Sequence, residues 1–451
     1  MRQAPTPLRA LVLFLSIGFA GLVPNLLASG QAPPATLSFA DRDALQNRWL
    51  RQRFDTILPE LMRREQIDMW IVVCREHNED PVYRTVVPQP SMFAWRLTMF
   101  VYTDRGAEIE KLTVNRYGGG DLHKDFPQFY RAAWEPEDLD PWARLAKIVR
   151  ERNPRRIGIN ESSVFAFADG LTASSKARLV EALGRDLAGR LVSAERLVVG
   201  WLERRSAGEI EFYPRIVALT HAIAAEALSS KHITPGVTTI DDLEHWTRER
   251  YARLHVDTWF PPMYYIYRPA SAGPPTRVIQ KGDVVRCDIG ITYAGLTSDV
   301  QQLAYVLKDG ETAVPAGLRA ALAQGNRLQD LFMEHFRAGR TGNEVLRAVL
   351  AQARSEGLTP KVYSHPLGFH GHAAGSRIGL PDMQDGVPGM GDLPLIDDTV
   401  WAVELGVSVP IPEWGGDRLQ VALEEDAVFT RAGGRFLDGR QTTFHIVGPR
   451  S

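Results

Sequence analysis

The sequence predicts an α/β (α+β) protein of two domains. An N-terminal α/β domain is followed by a second domain whose two halves repeat a helix-helix-strand order. Short apolar runs alternate with amphipathic helical segments as far as Val199, and two helix-helix-strand groups then follow in succession. Between them the charged stretch Glu203-Arg204-Arg205-Ser206 interrupts both patterns. A length of 451 residues exceeds one ordinary domain, and 44% hydrophobic with 24% charged residues provides for a sizeable core.

Taken in order, residues 1–30 read as a secretory leader. Arg2 and Arg9 precede an apolar run from Ala10 to Ala28, and Ala28-Ser29-Gly30 offers small residues for cleavage before Gln31. The alternative is a retained anchor, but Pro24 and Asn25 interrupt the run and no second apolar segment follows. Cleavage is the expectation, with a periplasmic or secreted product and no stable membrane insertion. Pro- and Ala-rich residues 31–40 form a linker.

Residues 41–200 make the first domain. Leu50, Phe54, Ile57, Leu58 and Leu61 fall at helical spacing. Met69-Trp70-Ile71-Val72-Val73-Cys74 reads as a strand covered on both faces. Trp142–Glu151 is helical and Arg156–Asn160 starts another strand.

Residues 201–451 make the second domain. Ala207–Ser230 is a long helix, and Thr239 caps another that carries Asp241 and Asp242 in its first turn. Strands follow within Asp283–Leu307, then helices at Pro315–Arg337 and Thr341–Glu356. Cys74 and Cys287 each lie in an apolar run and read as buried free thiols, with a disulfide between them left open. A net charge of −2, from 52 basic and 54 acidic residues, and the lack of a basic stripe argue against a nucleic-acid partner.

The chemistry-bearing residues lie in the second domain. Val284–Ile291 and Thr297–Val306 form a hairpin turning near Tyr293-Ala294-Gly295. A turn centred on residues 293 and 294 sets Asp288 directly opposite Asp299, and a centre one residue later makes them diagonal neighbours. Like charges so close destabilise a sheet unless something compensates, and a divalent cation would. Surface acids on a solvated hairpin are the plain alternative. Three of the eleven histidines crowd into Tyr363-Ser364-His365-Pro366-Leu367-Gly368-Phe369-His370-Gly371-His372. Imidazole is a common metal ligand, and glycine permits close approach. Glu404 and Glu424 each sit in an apolar strand-like run, where an ionised carboxylate needs a partner. Arg286 or Arg418 would serve for an ordinary ion pair. As a set, four carboxylates and one imidazole suit Mn²⁺ and related ions.

In that order, these motifs resemble the pita-bread metallopeptidases, the family of Xaa-Pro aminopeptidase, prolidase and methionine aminopeptidase. Lys281-Gly282-Asp283 precedes the Asp288 strand, and Asp288 and Asp299 keep the family spacing. His365-Pro366-Leu367-Gly368 matches its His-x-x-Gly turn, with His372 seven residues on. Glu404 stands at the glutamate of Glu-Pro-Gly, and Glu424 and Thr430 at the ends of Glu-Asp-x-x-x-x-Thr. Residues 41–199 resemble the creatinase-like N-terminal domain of the Xaa-Pro branch.

The resemblance implies two divalent ions about 4 Å apart, bridged by water or hydroxide. The ions would be Mn²⁺, with Zn²⁺, Co²⁺ or Fe²⁺ as alternatives. Asp288 would bind one ion, His365 and Glu404 the other, and Asp299 and Glu424 both. Glu404 would take the proton of the attacking water, and His372 would steady the substrate carbonyl. The substrate would be a small peptide or amide, and relatives suggest a homodimer. The match fails at Ser271, where proline-specific relatives carry histidine, and at Ala422, where they often carry arginine. Gln301-Gln302 replaces Thr-Arg, and Leu405 replaces the proline. Tyr264, Tyr265, Tyr267 and Arg268 stand near Ser271 as substitutes. The alternatives are therefore a hydrolase or lyase acting on a small non-peptide compound at the same centre, or a non-catalytic binding module.

Overall fold

The computed structural model describes residues 35–116, 128–135, 137, 140–273 and 276–448. The expected leader and the first four residues of the expected linker lie outside them. The linker ends earlier than expected, because Ser38 caps a helix that begins at Phe39, its hydroxyl accepting from Asp41 N.

Helix α1 (Phe39–Gln52) runs through a π-helical turn at Arg53–Ile57 into α2 (Leu58–Arg64). A six-stranded mixed sheet follows, ordered β4 (Arg131–Ala132), β3 (Ile109–Val114), β2 (Leu97–Asp104), β1 (Met69–Arg75), β5 (Ile157–Ile159) and β6 (Leu191–Ser193). β1 is the continuous apolar run because both its faces are covered. Met69, Ile71 and Val73 pack with helices α3 (Pro141–Arg152) and α4 (Ala173–Ala188). Trp70, Val72 and Cys74 pack with α1, α2 and α5 (Glu195–Glu203).

The second sheet is antiparallel along its main path: β12 (Pro360–Val362), β14 (Thr399–Pro410), β15 (Arg418–Thr430), β11 (Val300–Val306), β8 (Val284–Ile289) and β7 (Met263–Tyr267). β13 (His365–Leu367) joins β14, β16 (Gly433–Phe436) joins β15, and β17 (His445–Val447) joins β11 in parallel. Helices α6 (Ala207–Ala227) and α7 (Ile240–Leu254) pack with Val285, Cys287 and Ile289. Helices α8 (Ala316–His335) and α9 (Gly342–Ser355) pack with Val403, Leu405, Val421 and Leu423. The helix-helix-strand order thus recurs around one sheet. Capping boxes start α6 at Ser206–Glu209, α7 at Thr239–Asp242 and α9 at Thr341–Glu344. Pro315 stands at the N-cap of α8, not in its first turn.

Residues Pro33–Ser451 form one compact unit, so both sheets share a single body. A buried ion cluster ties α6 to the N-terminal helices. Glu209 meets Arg53 at 3.0 Å and Arg205 at 3.3 Å, and Arg53 also donates to the carbonyls of Trp201 and Arg204. Cys74 and Cys287 are buried free thiols.

Candidate metal centre

The hairpin register is set by its turn. Ala294 and Gly295 both have positive φ, 51° and 76°, as a type I′ turn requires. Tyr293 of β9 (Thr292–Tyr293) therefore pairs with Leu296 of β10 (Leu296–Thr297), and Asp288 stands opposite Gln301, not Asp299. Asp299 is the diagonal neighbour, the second of the two geometries the sequence allowed. Gln301 in turn faces Glu424, and Glu424 faces Glu404. Asp288, Gln301, Glu424 and Glu404 thus form one row across four strands, and partners in register share a face. His365 pairs with Ala402, two residues from Glu404, which brings the imidazole to that face.

At the centre of the row, Asp299, His365 and Glu424 each offer one ligand atom, all within 4.8 Å of one another. His365 Nε2 lies 3.6 Å from Asp299 Oδ2 and 3.7 Å from Glu424 Oε1. All three side chains are buried, and His365 Nε2, Asp299 Oδ1 and Glu424 Oε1 have no hydrogen-bond partner. Buried acceptors left without partners beside one another fit a divalent cation. His365 Nδ1 faces the Pro366 carbonyl at 3.2 Å, which holds the ring hydrogen there and leaves Nε2 as a lone pair. Burial, with the charges of Arg377 and His372, pushes the His365 pKa well down, so the ring is neutral.

Asp288 and Glu404 flank this trio. Gln301 Nε2 donates to Glu404 Oε1 at 3.0 Å and to Glu424 Oε2 at 2.7 Å. Asp299 N donates to both oxygens of buried Asp426 at 3.2 Å. Desolvation is the main cause of every carboxylate shift. It lifts Asp288 to about 6 against the pull of Arg286, and Glu404 to about 7 with help from Asp288. Asp299 and Glu424, deeper and surrounded by the other acids, are raised further. Four acids that resist ionisation together are a site short of positive charge.

The histidine loop is tied to the hairpin. Thr297 N donates to Gly368 O at 2.8 Å, and Thr297 Oγ1 donates to the carbonyls of Gly368 and His370 at 3.2 and 3.1 Å. His370 stacks on Phe167 of the first sheet's side, with ring centres 3.9 Å apart, and is no part of the ligand trio. His372 lies 4.7 Å from His365, ring centre to ring centre, and its Nε2 is 2.9 Å from Tyr363 Oη. The Trp259 ring sits 5.0 Å from His372. Gly371 is required beneath it, since a Cβ there would meet the indole at 2.0 Å.

Several expectations need correction. Arg418 bonds Ser408, not a glutamate. Arg268 is held by Asp283 at 2.6 Å, and Tyr264 by Thr247 at 2.7 Å, so neither is free to replace a histidine at Ser271. Sequence reasoning passed over Tyr363, Trp259, Asp426 and Arg377. Tyr363 and Asp426 adjoin recognised ligands in the chain, and that adjacency was the available signal.

Residues 214–431 match the model of metallopeptidase family M24. No curated protein matches the chain. Among solved structures, X-Pro aminopeptidase from Thermotoga maritima superposes with a TM-score of 0.62 at 17% identity, over 86% of this chain and all of that one. Xaa-Pro dipeptidase from Bacillus anthracis gives 0.56 at 18%, covering 90% of this chain and 99% of its own. Aminopeptidase P from E. coli gives 0.55 at 15%, covering 88% and 96%. At these identities the solved structures establish a shared fold, that of the pita-bread enzymes. The match to metallopeptidase family M24 over residues 214–431, the shared fold and the buried ligand trio on one sheet face thus point to the same family.

Proposed function

We propose that the protein is an exported dinuclear-metal hydrolase that cleaves short Xaa-Pro peptides, in the manner of an aminopeptidase or prolidase. The observation that carries this reading is the row of acids around the buried Asp299–His365–Glu424 trio, whose ligand atoms lie within 4.8 Å of one another. Asp288 would hold one ion, His365 and Glu404 the other, with Asp299 and Glu424 shared. Mn²⁺ suits these oxygen-rich donors. When bound, such ions polarise a carbonyl and acidify a water. Glu404, at the rim of the trio, would take the water's proton. His372, held by Tyr363 at 2.9 Å, would steady the carbonyl oxygen as charge develops on it. Export rests on the leader read from residues 1–30. Among the described residues, no helix is long and apolar enough to cross a membrane.

Metal analysis after Mn²⁺ loading, followed by a Xaa-Pro peptide panel, tests the reading. About two ions per chain and turnover of Xaa-Pro peptides are expected. Glu404→Ala should lower kcat by about 10²-fold or more; full turnover in that variant would remove Glu404 as the base. Two ions without peptide cleavage would favour the second reading, a small non-peptide amide as substrate. The departures at Ser271 and Ala422 keep that reading open.

A further inference from the structure

Glu203 is the last residue of α5 and is 6% exposed. Among the described residues its carboxylate accepts no hydrogen bond and forms no ion pair. An acid so placed is costly. It has lost its water, and the carbonyl end of the helix adds a further negative field. Burial lifts its pKa to about 8, against the charges of Arg64, Arg205, Arg196 and Arg204. Three of those cations are engaged with other acids: Arg205 with Glu209 at 3.3 Å, Arg204 with Glu60 at 2.7 Å, and Arg64 with Glu65 at 2.6 Å. The chain nevertheless makes room for this carboxylate. Gly375, with φ of 133°, lies against it, and a Cβ there would collide with Glu203 Oε2.

Glu203 lines a cavity of about 150 Å³ between α5 and the segment that leads into β14. Phe165 and Val199 from the first domain and Leu393 and Ile396 from the second make its walls apolar, and the exposed Arg64 and Arg196 complete the lining. Arg196 is the less engaged of the two, its one ion pair among the described residues being Glu65 at 4.0 Å. The other acid of the lining, Glu195, already accepts from Ser162 Oγ at 2.5 Å. A cavity of this volume holds a benzene-sized molecule and excludes a peptide. Among the described residues only the Asp299–His365–Glu424 trio brings three metal donors together, so the cation suited to Glu203 is an ammonium. We propose that this cavity binds a free α-amino acid with a small apolar side chain, its ammonium on Glu203 and its carboxylate toward Arg196. None of the lining residues belongs to the metal centre, and the site stands whether or not the protein is a peptidase.

The test measures binding of L-valine, isobutylamine and 3-methylbutanoate to the Mn²⁺-loaded full chain by titration calorimetry. The second ligand is valine without its carboxylate, and the third is valine without its ammonium. Isobutylamine should bind about threefold more weakly than valine, because Arg196 is exposed. 3-Methylbutanoate should bind about 30-fold more weakly or worse, because it leaves the buried acid unpaired. Glu203→Gln should weaken valine by about 30-fold or more. Arg196→Met should weaken valine about threefold and leave isobutylamine unchanged. Melting curves and metal content check that the variants remain folded and loaded. If Glu203→Gln does not fold, the order of the three ligands and the Arg196→Met result decide. Absence of valine binding, or 3-methylbutanoate binding as tightly as valine, would overturn the proposal. Equal valine affinity in the wild type and Glu203→Gln, or an Arg196→Met variant that weakens both valine and isobutylamine alike, would place the ligand elsewhere and overturn it too.

Discussion

Metal binding at this centre should release protons, and their source follows from the structure. Burial raises Glu404 to about 7 and Asp288 to about 6, and burial with the neighbouring acids pushes Asp299 and Glu424 well up. Burial and the charges of Arg377 and His372 push His365 down, so it contributes none. At pH 7 Glu404 keeps about half a proton and Asp288 about a tenth. Loading both ions should expel at least that much, with whatever Asp299 and Glu424 hold added to it. The slope of log affinity against pH equals the number released, so apparent Mn²⁺ affinity should rise at least about tenfold from pH 6 to 8. Titration calorimetry in two buffers of different ionisation enthalpy counts the protons directly. The same groups fix the sign for the metal-free fold. Their folded pKa values exceed the unfolded ones, so the native state binds more protons, and stability falls as pH rises from the ordinary carboxylate range through about 7. No net proton release at pH 7, or an affinity that does not change between pH 6 and 8, would refute the crowding of these four acids.

Three further outcomes are expected. Glu209→Gln removes the shared partner of Arg53 and Arg205, all within 2% exposure, and should cost about 3–5 kcal/mol in urea unfolding; a loss under about 1 kcal/mol would mean the guanidinia find other acceptors. His221 is opposed by burial but lifted to about 10 by Glu425 and Asp438, at 2.7 and 2.8 Å. His221→Asn should cost about 3 kcal/mol below pH 6.5, the difference shrinking as pH rises through about 10, and a pH-independent difference would show the ring is not charged. Gly371→Ala forces its new methyl into Trp259 beside His372. It should lower kcat by about 10²-fold at unchanged metal content, and normal turnover would show that the indole can move freely.

Much of this was legible in the sequence because it is local. The run Met69–Cys74 has six consecutive buried residues, as its lack of alternation required. Thr239 caps its helix, and Asp242 returns the hydrogen bond. Glu404 and Glu424 stood out because a carboxylate in an apolar strand is expensive wherever it occurs. Register was not readable to one residue, because Tyr293-Ala294-Gly295 admits two turn centres until the backbone of Ala294 is seen in the left-handed region. Partners far apart in the chain were beyond reach. Glu425 finds His221, 204 residues away, while Asp426 supports the backbone of Asp299. Arg377 reaches the centre through the single bridge between Ser364 and Ile378, which no periodicity announces.

The distribution of ligands between rigid and irregular backbone bears on which property of the site is easier to alter. Asp288, Glu404, Glu424 and His365 stand on strands, and Asp299 immediately precedes β11 with its N–H fixed by Asp426. Moving any of them requires shifting a ladder whose other face is packed against helices. His372 and Arg377 stand instead on the segment between β13 and β14, held by a few backbone bonds and glycines. Changes there need not disturb the sheet. A chain that keeps the five expected ligand positions while departing from the family pattern at Ser271 and Ala422 is therefore what one chemistry turned toward a different substrate would look like.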